Sequence, residues 1–224
     1  MPAIERGVRV QRSARFFQIG EAGPNVRELW VACHGYGQLA APFAQALEPL
    51  NDGTRVVVAP EGLSRFYLDD PVKRHGPDSP IGASWMTRED REHEIADYVE
   101  YLDVVADMVR RELDPRAPRL VALGFSQGVA TACRWAALGR AKVDLLIMWA
   151  GSIPNDLPSD AGDRLFKGAR LVMVAGQRDP LLTRKVVKRE HQALLDRGLR
   201  VELVSFDGSH SLNSETLRRL AGDA

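Results

Sequence analysis

Several things are scarce in this chain. Only two of its 224 residues are cysteine, Cys33 and Cys133, far apart and each inside an apolar segment. They read as a reduced, buried pair of small hydrophobes, which excludes a disulfide framework. Excess charge of one sign is absent, because 30 Lys and Arg balance 30 Asp and Glu. A nucleic acid or anionic membrane held by bulk electrostatics is therefore excluded as a partner. No apolar run approaches the roughly 18 residues of a membrane span, and Met1-Pro-Ala-Ile-Glu-Arg-Gly7 lacks the apolar stretch of a secretory leader. The expectation is a cytoplasmic protein with no integral membrane association. His75, His93 and His191 show no metal-ligand spacing, so neither a metal nor another cofactor is expected. Internal repeats, low-complexity tracts and linkers are lacking too, and residues 1–224 read as one α/β domain long enough to bury a sizeable core.

What is present alternates. Val8 to Val10 and Arg15 to Ile19 are short β-like pieces expected to pair as an edge hairpin. Leu29–Cys33 and Arg55–Ala59 are continuous apolar runs of the kind buried on both faces of a parallel sheet, and Pro42–Leu50 between them reads as a short helix. Residues 63–86 carry Pro71, Pro77, Pro80, Gly76 and Gly82, and are expected to be ordered but irregular, crossing the top edge of the sheet. Thr87-Arg-Glu-Asp90 resembles a capping box opening a helix whose apolar positions run from Ile95 to Leu113, stopped by Asp114-Pro115. Glu94, Asp97, Glu100, Asp103, Arg110 and Arg111 are assigned to its solvated face. Further strands are expected at Leu120–Leu123, Val143–Ala150, Arg170–Ala175 and Arg200–Phe206. A polar connector spans Asn155–Gly168, and helices are expected from Val129, Thr183 and Asn213. Strands alternating with helices imply a mostly parallel sheet covered on both faces.

The stretch that organises the rest is Gly124-Phe-Ser-Gln-Gly128, lying between a buried strand and a helix. In that context a Gly-x-Ser-x-Gly turn lifts its serine out of the strand end while strand and helix pass close on either side. Sites in parallel sheets form beyond the carboxyl ends of the strands. After successive strands come His34-Gly-Tyr-Gly37, Ser126, Asp179 and His210. Each suits one task. Ser126 would attack once a base takes its proton, and His210 is a base poised near neutrality. Asp179 would fix the imidazole tautomer. The amides of Gln127 and Tyr36 would meet the oxyanion. Asp207 lies too close to His210 to orient it, Arg178 reads as surface charge, and His34 reads as a support for the oxyanion loop.

His34-Gly-Tyr-Gly37, Gly124-Phe-Ser-Gln-Gly128, Ala150-Gly-Ser-Ile-Pro154, Gly176-Gln-Arg-Asp-Pro180 and Gly208-Ser-His210 together resemble the phospholipase/carboxylesterase branch of the α/β-hydrolases, the group that includes acyl-protein thioesterases. The resemblance implies an α/β-hydrolase fold and a serine carboxylesterase working through an acyl-enzyme, with a small-molecule ester as substrate. It also implies that Ser84-Trp85 lines an acyl site. Tyr36, Phe66, Tyr67 and Trp85 are the substrate-binding candidates. Tyr36 departs from the apolar residue that many members carry in the oxyanion loop, and residues 63–86 show no acyl-tunnel pattern. Asp69, Asp70, Lys73, Arg74 and Asp78 argue for small-to-medium acyl groups. Two alternatives stand beside this one: a lysophospholipase or thioesterase for long chains, and a non-catalytic binding module. The oligomeric state stays open, a homodimer included.

Overall fold

The structure, a computed structural model, describes residues 3–69, 72, 74–113, 118–158 and 168–222. The predicted helix stop at Asp114-Pro115, the charges Asp70 and Lys73, Pro71 and most of the Asn155–Gly168 connector lie outside the described residues.

The sheet is built from β1 (Phe16–Ile19), β2 (Glu28–Cys33), β3 (Arg55–Pro60), β6 (Arg119–Phe125), β7 (Leu145–Trp149), β8 (Arg170–Gly176) and β9 (Val201–Phe206); β4 (Ser64–Tyr67) and β5 (Ile81–Ser84) form a separate ladder. The helices are α1 (Ala40–Ala46), α2 (Arg91–Arg110), α3 (Gln127–Leu138), α4 (Arg184–Asp196) and α5 (Ser214–Gly222), with a 3-10 turn at Glu48–Leu50 after α1. Strand order in the main sheet is β1-β3-β2-β6-β7-β8-β9, parallel throughout except for β1.

Alternation explains why the inner strands are apolar at nearly every position. Along β2, Leu29, Val31 and Cys33 join the core under α2, α3 and α4, while Trp30 and Ala32 join the one under α1 and α5. Neither face meets water, and each buried Val, Leu or Ile contributes about 1.5–3 kcal/mol relative to exposure. Cys33 and Cys133 are free thiols in this interior. Burial pushes both up, Cys133 to about 12, so at neutral pH they pack as hydrophobes. Among the described residues, no helix is long and apolar enough to cross a membrane.

Four local expectations are corrected. Val8 and Val10 form no strand and stay 86% and 78% exposed. β1 pairs with β3 instead, Phe16 opposite Pro60 and Ile19 opposite Val57, because that apolar strand offers a full ladder. Residues 63–86 are not wholly irregular, since β4 and β5 pair antiparallel with Phe66 opposite Gly82. Pro77 and Pro80 fall between the two strands, where no ladder donor is needed. Thr87–Asp90 is not a capping box. α2 starts at Arg91 after a left-handed Asp90 (φ 46°), and Thr87 N donates to Glu94 at 2.6 Å. Asp103 is not on a solvated face: it is buried and accepts from Trp135 Nε1 at 2.9 Å, Arg140 N at 2.8 Å and Ala141 N at 3.2 Å, tying α2 to the end of α3. Helical periodicity alone cannot see such a partner.

Candidate active site

The parallel strands end along one edge, so the loops after β2, β6, β7, β8 and β9 lie side by side. Ser126 sits between β6 and α3 at φ 53°, ψ −117°. For a residue with a side chain this region costs about 1–3 kcal/mol. It persists because its surroundings over-determine it. Ser126 N donates to Trp149 O at 2.9 Å, and Val129 N donates to Ser126 O at 3.0 Å. The loop after β7 carries Gly151, where a Cβ would stand 2.5 Å from Ser126 O.

The loops after β8 and β9 are stapled together: Gln177 N donates to Phe206 O at 2.9 Å and Arg178 N to Gly208 O at 2.8 Å. Trp149 Nε1 holds Ser211 O at 2.9 Å. This frame brings His210 Nδ1 to 2.7 Å from Asp179 Oδ2. The Asp179 side chain is fully buried, and its Oδ1 accepts from Leu181 N at 2.8 Å and Leu182 N at 2.9 Å. Burial pushes the Asp179 carboxyl up. The Leu182 amide, His210 and the Leu181 amide outweigh burial and hold it below the usual carboxylate range. An ionised carboxylate only accepts, so His210 Nδ1 donates to it. The imidazole lies 5.0 Å, centroid to centroid, from Phe125, the residue before Ser126. Asp207, the rival carboxylate, is exposed and paired with Arg178.

His34 is buried between the loops as a support, with Gly62 N donating to its Nε2 at 2.9 Å and its Nδ1 donating to Gly35 O at 2.7 Å. Both nitrogens are satisfied only in the neutral ring. Burial lowers its pKa from 6.5, against smaller upward effects of the Gly35 carbonyl and Glu61. A lowered folded pKa means that the unfolded chain takes the proton first. His34 therefore contributes stability above about pH 6.5, lost as pH falls, at up to about 1.4 kcal/mol per pH unit. His93, raised by Asp90, acts in the opposite sense and cancels when wild type is compared with His34→Gln. Urea-unfolding midpoints should fall more steeply in wild type between about pH 7 and 5.5. Parallel profiles would refute it.

Tyr36, in the loop after β2, is 60% exposed and packs at a tilt against Phe66 with centroids 5.2 Å apart. Its backbone N–H makes no hydrogen bond among the described residues, and the Gln127 N–H, first in α3, has no acceptor inside its helix. Tyr67 lies face to face with His75 at 4.0 Å, beside exposed Leu68 and Ile81. Trp85 does not line the surface of the site. It is 1% exposed, packs edge-on to Tyr98 in the core, and its Nε1 donates to His34 O at 2.8 Å, so it supports the loop after β2 from behind. Two contributors escaped the sequence reading. Gln38 Oε1 accepts Gly35 N at 2.7 Å. Buried Glu61 binds Arg15 and accepts the Ala40 amide, capping α1 next to the same loop. Gln38, a polar residue directly after Gly37, was the available signal for the first.

Residues 30–217 match the family described as serine hydrolase (FSH1). The chain belongs to that serine hydrolase family. Among solved structures, Zea mays acyl-protein thioesterase 2 superposes with a TM-score of 0.66 at 18% identity, over 94% of this chain and 97% of that one. The Bacillus cereus carboxylesterase gives 0.61 at 16%, over 93% and 92%. Arabidopsis thaliana SOBER1 gives 0.61 at 14%, over 88% and 97%. At these identities the likeness is one of fold: this serine hydrolase has the α/β-hydrolase fold, as its motifs lead one to expect. No curated protein sequence matches the chain.

Proposed function

We propose that this serine hydrolase is a carboxylesterase for small-to-medium acyl esters, acting as one domain over residues 1–224 with 63–86 beside the substrate. The His210–Asp179 contact at 2.7 Å, next to a serine on a strained elbow, carries the reading. Ser126 Oγ attacks the ester carbonyl as His210 Nε2 takes its proton, and the amides of Tyr36 and Gln127 meet the oxyanion. Collapse expels the alcohol, which takes the proton from His210. Water, deprotonated by His210, then attacks the acyl carbonyl, and Ser126 Oγ leaves with the proton returned by His210. No step draws on a cofactor, and the reaction suits a cytoplasmic enzyme.

A second reading, hydrolysis of long acyl esters or thioesters, is favoured by the exposed apolar side chains of Tyr36, Tyr67, Leu68 and Ile81 near the oxyanion loop. A series of p-nitrophenyl esters of increasing acyl length separates the two. The expected kcat/KM peaks at short-to-medium chains, whereas a continued rise would select the second reading. Folded protein that a fluorophosphonate probe leaves unlabelled would be a binding module instead.

A further inference from the structure

β5 and the two residues after it touch both sides of the site. On one side the strand bridges to the loop after β2: Gly37 N donates to Ala83 O at 2.9 Å, and Ala83 N donates to Gln38 O at 3.2 Å. With Gln38 Oε1 on Gly35 N, the peptide bearing the Tyr36 amide is fixed on both flanks. The approach is close enough that a Cβ on Gly82 would stand 2.5 Å from Gly37 O. On the other side the same segment holds the Gln127 carboxamide. Its Oε1 faces Trp85 N at 3.3 Å, and its Nε2 donates to Met86 O at 3.0 Å and Ser84 Oγ at 3.2 Å. Ser84 in turn donates to Met86 O at 2.9 Å, which leaves its oxygen free to accept.

The amides of Tyr36 and Gln127 belong to chain segments about ninety residues apart, which follow the neighbouring strands β2 and β6. Neither loop alone fixes the spacing between them, and β5 contacts both. Donors stabilise a developing oxyanion only when held in place beforehand, and a misplacement of about 1 Å can cost about 100-fold in rate.

We propose that the Gln127 side chain, clamped by Ser84, Trp85 and Met86, is a positioning residue for the oxyanion hole, locking the first turn of α3 to the strand that also carries the Tyr36 loop. The inference rests on Ser126 as nucleophile and on the two amides as oxyanion donors. The carboxamide touches no reacting atom; it acts through the backbone amide of its own residue.

Gln127→Met keeps length and volume but removes every one of these hydrogen bonds. The expected result is a fall in kcat on the order of 10–100-fold with KM changed less than about twofold, because ground-state binding makes little use of the hole. A trifluoromethyl ketone reports the hole directly. Ser126 Oγ adds to its carbonyl carbon, the proton passes to His210, and the carbonyl π pair becomes the oxyanion. Its inhibition constant should rise by the same factor as kcat/KM falls. Ser84→Ala, which removes one arm of the clamp, should fall less. Wild-type kcat in Gln127→Met overturns the proposal. So does a loss of kcat and melting temperature together with an unchanged ketone affinity, which is the signature of general loosening. If Gln127→Met does not fold, Gln127→Glu decides: it keeps the acceptor for Trp85 N and loses the donor to Met86 O, so wild-type kcat there overturns the proposal equally. Turnover retained in Ser126→Ala would instead sink the nucleophile assignment and leave the clamp without a function to serve.

Discussion

Ser126→Ala is expected to lower kcat on a p-nitrophenyl ester by about 10⁴–10⁶-fold, leaving what substrate binding and the two amides supply without a nucleophile. Fluorophosphonate labelling should vanish. The fold should not suffer, because the hydroxyl supports no hydrogen bond within the elbow; the contacts there run through the backbone of Ser126 to Trp149 O and Val129 N. Alanine keeps the strain of φ 53°, so its melting temperature should stay near wild type. Ser126→Gly separates the two properties. Glycine adopts this backbone freely, and removing about 1–3 kcal/mol of strain should raise the melting temperature while activity stays absent. Turnover above about 1% of wild type in a clean Ser126→Ala preparation would refute the nucleophile assignment.

Gly128→Ala should damage stability most among single-methyl additions. A Cβ there would lie 2.1 Å from Cys33 O, with Cys33 C and His34 O both at 2.7 Å. These are backbone atoms of β2 and of the loop after it, and no rotamer change can relieve the clash. Gly128 does not have a positive φ, so the demand is for space, not for an unusual backbone. The opposite side is just as tight, since a Cβ on Gly124 would stand 2.3 Å from Gly128 O. Either α3 retreats or β2 yields. The expected loss is about 3 kcal/mol or more, the upper end for overpacking, or a drop of roughly 6–12 °C in melting temperature for a domain of this size. Activity should fall further than stability, because the displaced carbonyls carry the oxyanion loop. Gly23→Ala, which meets no atom within 4 Å, is the matched control and should be nearly neutral. Equal melting temperatures for the two variants would show that α3 and β2 can separate at little cost.

The organisation of the molecule was legible where its cause is contiguous in the chain. An apolar run with no polar interruption fits a strand covered on both faces, so β2, β3, β6, β7 and β8 could be read within a residue or two of where they lie. Gly124 to Gly128 could be read because strand, turn and helix follow one another directly. Asp179 and His210 could be placed at the sheet edge because each comes just after a strand, β8 and the alternating β9. The misreadings share the opposite condition. Val8 and Val10 alternate like a strand but lie outside the sheet. Asp103 follows helical periodicity to the outside and is buried by the Trp135 indole and two backbone amides from over thirty residues away. Trp85 belongs to the segment expected to line the site, yet the core claims its ring.

By itself the sequence determined which residues follow the strand ends and that a parallel sheet would present them along one edge, because hydrophobic alternation and glycine spacing act between near neighbours. Only the tertiary structure decided which groups meet. Asp103 is taken in by Trp135 and the amides of Arg140 and Ala141, and the Trp85 ring by Tyr98. β4 pairs with β5, and β5 grips the loops of Tyr36 and Gln127 together. Such pairings arise where separate loops pack against one another. Hydrogen-bond geometry and desolvation select the partner there, and no pattern along the chain records the outcome.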